Sequence, residues 1–142
     1  MQQGVANAFD LQLSVGLFTL GGVCERHPDL RVAFLEGTGG WIVPMLERFD
    51  HQFEVFGSPD QKARPSEVFA RQCVISFDPD EVALAFTAQH IGADHVLWAS
   101  DYPHPDAKIP GVVAELEEAL APLPLDAQVE VFGASARRFY GL

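Results

Sequence analysis

The sequence is poor in cysteine and in positive charge, and it contains no long apolar run. Two cysteines, Cys24 and Cys73, lie in apolar patterns, so we expect buried, reduced thiols in a cytoplasmic protein. Nine Lys and Arg against twenty Asp and Glu give a net charge of −11, which argues against nucleic acid or an anionic membrane surface as a partner. Since no apolar stretch approaches about 18 residues, no transmembrane helix is predicted.

Several familiar functional motifs are also missing. The sequence has no CxxC pair, no P-loop, no GxSxG and no GxGxxG. Residues 1–4 lack the basic and apolar regions of a signal peptide. Ser100, Asp101 and His104 lie too close in sequence for a catalytic triad, whose base must approach from a differently oriented segment. These absences argue against secretion, redox or nucleotide chemistry, and covalent catalysis.

Apolar residues are abundant, and they fall in alternating patterns. A hydrophobic content of 48% with eleven Phe indicates that 1–142 is packed as one domain or as part of one. Short apolar runs predict strands over 30–35, 73–77 and 96–99. Between and after them, helical spacing predicts helices over 11–20, 42–56, 66–71, 78–91, 112–120 and 126–140, with a break near Gly133.

This alternation predicts an α/β fold with a parallel sheet built from βα units. A parallel sheet of only three strands would leave two apolar edges, which isolated proteins avoid. We therefore expect the chain to be part of a larger βα structure, or a subunit completed by another copy.

Acidic residues stand where two of the predicted strands end. Glu36 follows the first strand and Asp101 follows the third, with His104 three residues further on. In parallel α/β folds, the carboxyl ends of the strands are where substrate and metal bind. The alternative for Asp101 is that it caps the turn after the strand.

Four segments together carry a family resemblance. They are HPDLRVAFLEGTGGWIVPMLERFDHQFE (27–54), RPSEVFARQCVISFDPDE (64–81), DHVLWASDYPHPDA (94–107) and VFGASARRFYGL (131–142). They resemble the C-terminal part of the amidohydrolase-2 family, metal-dependent hydrolases and decarboxylases related to aminocarboxymuconate semialdehyde decarboxylase. The resemblance covers nearly the whole chain, and its motifs LEGTGGW, SDYPH and RRFYGL are specific in combination.

The resemblance implies a fold and a metal site. The fold would be the C-terminal part of a (β/α)8 TIM-type barrel, with about three βα units and C-terminal helices. Asp101 matches the family's aspartate that binds a divalent metal, usually zinc. The family's other ligands, a His-x-His pair and a further His, have no counterpart here and would lie before Met1.

Three further residues are candidates for the site, and each has an alternative role. Glu36 occupies the position where many family members carry a catalytic His, and it is a candidate proton shuttle. Its alternative role is structural, with the carboxylate accepting hydrogen bonds from the Gly39 and Gly40 amides. His104 is a candidate substrate-binding residue or a surface loop residue. Trp41 either contacts substrate or packs a helix against the barrel.

These observations lead to two hypotheses about the function of the chain, which belong to different classes. The first is the C-terminal portion of a metal-dependent hydrolase or decarboxylase that acts on a small organic acid or ester through a metal-bound water, with homo-oligomerisation expected from the apolar edges. The second is a catalytically silent half-barrel that serves at most as an association module.

Overall fold

A parallel sheet of three short strands forms the centre of the molecule. The computed structural model describes residues 2–57, 61–105, 107 and 109–142. The strands are β1 (Val32–Phe34), β2 (Cys73–Phe77) and β3 (Val96–Trp98), in the order β1-β2-β3. The helices are α1 (Gln2–Phe18), α2 (Val23–Arg26), α3 (Ile42–Phe56), α4 (Pro65–Gln72), α5 (Leu84–Ile91), α6 (Val112–Leu120), α7 (Leu125–Val129) and α8 (Ser135–Tyr140).

The register aligns the carboxyl ends of the strands at one edge. Phe34 pairs with Ile75, and Phe77 pairs with Trp98. All five residues of β2 are buried, as expected for a central strand with helices on its faces. Each strand therefore delivers the residues that follow it to the same side of the sheet.

The hydrophobic core lies between the sheet and the surrounding helices. Its largest fully buried side chains include Phe69 of α4, Phe77 of β2 and Ile42 of α3. The ring centroids of Phe34 and Phe69 lie 6.2 Å apart with nearly parallel planes. Helix α3 contacts both α4 and α5, and α5 contacts α6. The helices between the strands thus cover the sheet, as the βα pattern predicts.

The three strands lie where the sequence predicts them, whereas two helices begin elsewhere than predicted. The first helix, predicted over 11–20, covers Gln2–Phe18. Strand β2 has its predicted bounds, and β1 and β3 are shorter than predicted. The helix predicted from Asp78 begins instead at Leu84. The segment before it forms two successive turns, in which the Glu81 N–H donates to the Asp78 carbonyl and the Leu84 N–H to the Glu81 carbonyl. The Glu81 side chain meanwhile accepts hydrogen bonds from a neighbouring turn, which holds this segment out of the helix.

The predicted break near Gly133 is a change of helix type. A π-helical segment, Glu130–Ala134, joins α7 to α8, and Gly133 has non-helical backbone angles inside it. Trp98 of β3 donates its indole N–H to the Phe132 carbonyl of this segment at 3.3 Å. The irregular segment is thereby held against the end of the sheet.

The two cysteines are buried and free, as the sequence predicts. Among the described helices, none combines the length and apolar character needed to cross a membrane.

Candidate active site

A cavity of about 500 Å³ opens at the carboxyl ends of the strands. The residues after β1, at the end of β2 and after β3 all contribute to its wall, and α1 and α8 add residues from the side. Its strand-end lining consists of Leu35, Glu36, Gly37, Thr38, Ser76, Phe77, Asp78, Leu97, Trp98, Ala99 and Asp101, with His104 beyond. The structure therefore brings Glu36, Asp101 and His104, all predicted from the sequence, to one cavity.

Asp101 and His104 lie within polar contact of each other at this cavity. The Asp101 Oδ2 lies 3.3 Å from the His104 Nδ1, and the two side chains are 34% and 65% exposed, respectively. The His104 N–H also donates to the Asp101 carbonyl at 2.8 Å, so the turn itself holds the two residues together. Asp101 has a left-handed backbone with φ of 58°. Non-glycine residues rarely adopt this conformation, and functional sites are enriched in them.

Glu36 reaches the cavity from the other side of β2. Its backbone is also left-handed, with φ of 63°, and its side chain is exposed. Its N–H donates to the Ser76 hydroxyl at 3.3 Å, and its carbonyl accepts from the Asn7 amide of α1 at 3.4 Å. Backbone contacts to β2 and α1 thus hold the exposed Glu36 at the cavity lining.

The glycine amides after β1 bind a different acid from the one considered in the sequence analysis. Oε2 of Glu81 accepts the Gly39 N–H at 3.0 Å and the Gly40 N–H at 3.3 Å, and Oε1 accepts the Asp78 N–H at 2.9 Å. Burial raises the pKa of the Glu81 carboxyl, and the amide donors partly oppose that rise. The structural role that the sequence offered for Glu36 therefore belongs to Glu81.

Trp41 is not brought to the cavity. It stands just before α3 and packs, partly buried, against the hydrophobic core. Its indole N–H donates to the Gly37 carbonyl at 3.0 Å. This placement agrees with the packing alternative, and the tryptophan that does line the cavity is Trp98.

Several cavity residues were not identified from the sequence, among them Ser76, Asn7 and Tyr140. Ser76 had a usable signal, because it is a polar residue in an otherwise apolar, buried strand. Asn7 and Tyr140 lie on helices far apart in sequence, and only the tertiary packing of α1 and α8 brings them to the strand ends.

Comparison with known proteins decides the family. The sequence pattern of the amidohydrolase family matches residues 10–142, almost the full chain. The chain belongs to the amidohydrolase family. The resemblance stated from the motifs is thereby confirmed.

Two proteins that are similar to this chain are decarboxylases by name. The chain is 30% identical over 135 residues to 2-amino-3-carboxymuconate-6-semialdehyde decarboxylase of Dictyostelium discoideum, covering 92% of this chain and 36% of the relative. It is also 30% identical to the crystal structure of 5-carboxyvanillate decarboxylase from Sphingomonas paucimobilis, with a TM-score of 0.72, covering 88% of this chain and 38% of that one.

A more distant structure supports the fold. An amidohydrolase from Mycobacterium avium subsp. paratuberculosis matches with a TM-score of 0.77 at 19% identity, over 92% of this chain and 33% of that one. The chain thus spans little more than a third of the relatives it matches. Together with the parallel sheet, these matches confirm the predicted fold class, part of a TIM-type barrel.

The family implies a divalent metal, and the donors present here do not complete a site for one. Asp101 and His104 are of the types that bind zinc, and a catalytic zinc site takes about three protein ligands plus water. Throughout the described ranges, no three His, Cys, Asp or Glu side chains are grouped closely enough to hold a metal ion. The described residues alone therefore do not fit a catalytic zinc centre.

Proposed function

We propose that this chain forms part of the active site of a decarboxylase, or of a related hydrolase, acting on a small organic acid derived from an aromatic compound. The observation that carries the proposal is the contact between the Asp101 carboxylate and the His104 imidazole at the strand-end cavity. The relatives at 30% identity, both decarboxylases by name, support the reaction class. The reduced, buried thiols support a cytoplasmic location.

The proposed role of Asp101 and His104 is to hold and transfer a proton. Decarboxylation breaks a carbon–carbon bond, and the carbon that retains the electron pair must then receive a proton. Hydrolysis requires the reverse transfer, from water to a base. The His104 Nδ1 lies 3.3 Å from the Asp101 carboxylate, which leaves the ring's Nε2 available for either transfer.

Glu36 is proposed as a second proton-transfer group. The strand order places β2 between β1 and β3, so Glu36 and Asp101 stand on opposite sides of the β2 terminus. The cavity lining also includes apolar residues, among them Trp98, which suit a flat ring. The substrate we propose is therefore a ring that bears a carboxylate.

Two acids facing an acidic substrate need a compensating cation. We propose that Asp101 is one ligand of a divalent metal, zinc by family resemblance, whose further ligands come from outside these 142 residues. A bound metal would neutralise the carboxylates and lower the pKa of a bound water. His104 and Glu36, to which we assign the proton transfers, both belong to this chain.

The test is release of carbon dioxide from 5-carboxyvanillate and 2-amino-3-carboxymuconate-6-semialdehyde, the acids in the names of the two relatives. It uses a purified protein that contains this chain together with the segment that supplies the further metal ligands, with and without added Zn²⁺. Activity that is lost in Asp101→Asn but kept in Asp29→Asn supports the proposal; Asp29 is an exposed aspartate near the opposite end of β1. No release from either acid, or equal release by Asp101→Asn, contradicts it.

The alternative, a silent half-barrel that acts as an association module, is favoured by two observations. One is the incomplete ligand set among the described residues. The other is an exposed apolar stripe on α1 formed by Val5, Phe9, Leu13 and Leu17. A stable dimer without any carbon dioxide release would support this alternative.

A further inference from the structure

Glu81 links the two turns that border the candidate active site. Its half-buried carboxylate accepts three backbone N–H groups, two from Gly39 and Gly40 after β1 and one from Asp78 after β2. Carboxylates bound by several amide donors make charge-assisted hydrogen bonds, which are stronger than neutral ones. A single side chain thereby fixes the separation of two turns that are distant in sequence.

The first of these turns needs an external support. Glu36 and Thr38 both have left-handed backbones, with φ of 63° and 56°. This conformation is unfavourable for residues with side chains, and it persists only where the surroundings determine it. The contacts from Glu81 to Gly39 and Gly40 attach directly to the carboxyl end of this strained segment.

The turns approach so closely because the first one ends in glycine. A Cβ added to Gly39 would lie 2.2 Å from the Phe77 ring, and one added to Gly40 would lie 2.9 Å from the Ala83 Cβ. Side chains at either position would separate the turns and take their amides out of reach of Glu81. The glycine pair and the glutamate therefore form one structural unit, which we call the Glu81 clamp: Gly39, Gly40, Asp78 and Glu81.

We propose that Glu81 is a positioning residue for the reaction, because its clamp holds the turn that presents Glu36 at a fixed place relative to the end of β2. The inference rests on the proposed function, since it assumes that Glu36 acts on the substrate. Glu81 itself does not line the cavity, so its effect passes through the backbone of residues 36–40.

Replacing Glu81 by glutamine tests whether this one side chain must bind both turns. Glu81→Gln keeps the size but turns one acceptor oxygen into an NH₂ group, which cannot accept an N–H. One of the two turns must therefore be released. The matched control is Glu117→Gln, at an exposed position on α6.

Steady-state kinetics of carbon dioxide release and the backbone amide NMR spectrum are recorded for the wild type and both variants. We expect kcat to fall on the order of tenfold to a hundredfold in Glu81→Gln, with KM and the melting temperature little changed, because a misplaced reacting group slows the chemical step. The amide resonances of Glu36 and Thr38 should move in Glu81→Gln and stay in Glu117→Gln. An unchanged kcat in a folded Glu81→Gln variant overturns the positioning role.

A failure of the proposed function can be distinguished from a failure of the Glu81 clamp. If the wild-type chain releases no carbon dioxide, the clamp is judged by the resonances alone, and unmoved Glu36 and Thr38 amides overturn it. If Glu81→Gln does not fold, Glu81→Asp replaces it. This variant keeps the charge, but it is one methylene too short to reach both turns, so the same losses are expected, and a wild-type kcat with unmoved amides overturns the clamp.

Discussion

Three residues with side chains adopt left-handed backbones at the strand ends: Glu36, Thr38 and Asp101. Aspartate tolerates this conformation because its side chain can bond locally, whereas a β-branched residue such as threonine does not. The two acids at these positions face the cavity. The tight turns needed to present those carboxylates are the physical reason for the strain.

Thr38 allows the strain to be measured without removing a proposed catalytic group. We expect Thr38→Gly to be more stable than Thr38→Ala by about 1 kcal/mol, because glycine adopts φ of 56° without the steric cost of a Cβ. The measurement is the free energy of unfolding in urea for both variants. An alanine variant as stable as the glycine variant would show that this turn stores no strain.

The buried thiols predict a loss of stability in alkaline solution. Burial raises the pKa of both Cys24 and Cys73 above the ordinary thiol value. As the pH rises past that ordinary value, the unfolded thiols ionise while the folded ones stay protonated. Their contribution to stability is thus complete at neutral pH and declines by about 1.4 kcal/mol per pH unit for each thiol as the pH rises towards the folded pKa.

Urea unfolding at neutral and alkaline pH checks this thiol effect, with Cys73→Ala as the comparison. The variant lacks one of the two buried titrating thiols, so its stability should fall less steeply between the two pH values. Parallel pH dependence of the wild type and Cys73→Ala would mean that Cys73 ionises equally in the folded and unfolded states.

At the scale of the elements, one buried amide joins α2, α4 and β1. Nε2 of Gln72, the last residue of α4, donates to the carbonyls of Cys24, His27 and Leu30 at 3.1, 3.0 and 2.9 Å. These carbonyls belong to α2 and to the segment that leads into β1. The two N–H groups of this amide are shared among the three carbonyls, and they attach α2 and the segment before β1 to α4.

Replacing Gln72 by leucine should lower the free energy of unfolding by about 2 kcal/mol, because three backbone carbonyls lose a hydrogen bond from the buried amide. The control is Gln52→Leu, at a half-buried position on α3. Chemical denaturation of both variants gives the comparison. If both substitutions lower the free energy of unfolding equally, the loss comes from exchanging glutamine for leucine and not from the hydrogen bonds of Gln72.

Elements were predictable from sequence where one local signal controlled them. Strand β2 has its predicted bounds because the short, mostly apolar run CVISF is typical of a strand buried on both faces. The late start of α5 was not predictable, because acidic residues after Pro79 favour a helix start, and only the fold shows that Glu81 binds another turn. Glu36, Asp101 and His104 could be located since strand ends are readable, whereas Asn7 and Tyr140 required tertiary packing.

At the scale of the whole molecule, apolar surface and charge are unevenly distributed. Val5, Phe9, Leu13 and Leu17 repeat every four residues along α1 and are each more than half exposed. Asp10 is the only charged residue of that helix in a chain with a net charge of −11. A second copy would therefore meet the least electrostatic repulsion at this stripe, and burying it removes apolar area from water.

We predict that the chain self-associates through the α1 stripe. Leu13 is 67% exposed at its centre, so Leu13→Glu should shift the molecule towards a monomer by placing a carboxylate in the contact. The control is Leu125→Glu, which adds the same charge at a position 74% exposed on α7. Sedimentation velocity over a range of concentrations is the measurement. A monomeric wild type refutes the association, and a Leu13→Glu variant that associates as strongly as Leu125→Glu places the contact elsewhere than on α1.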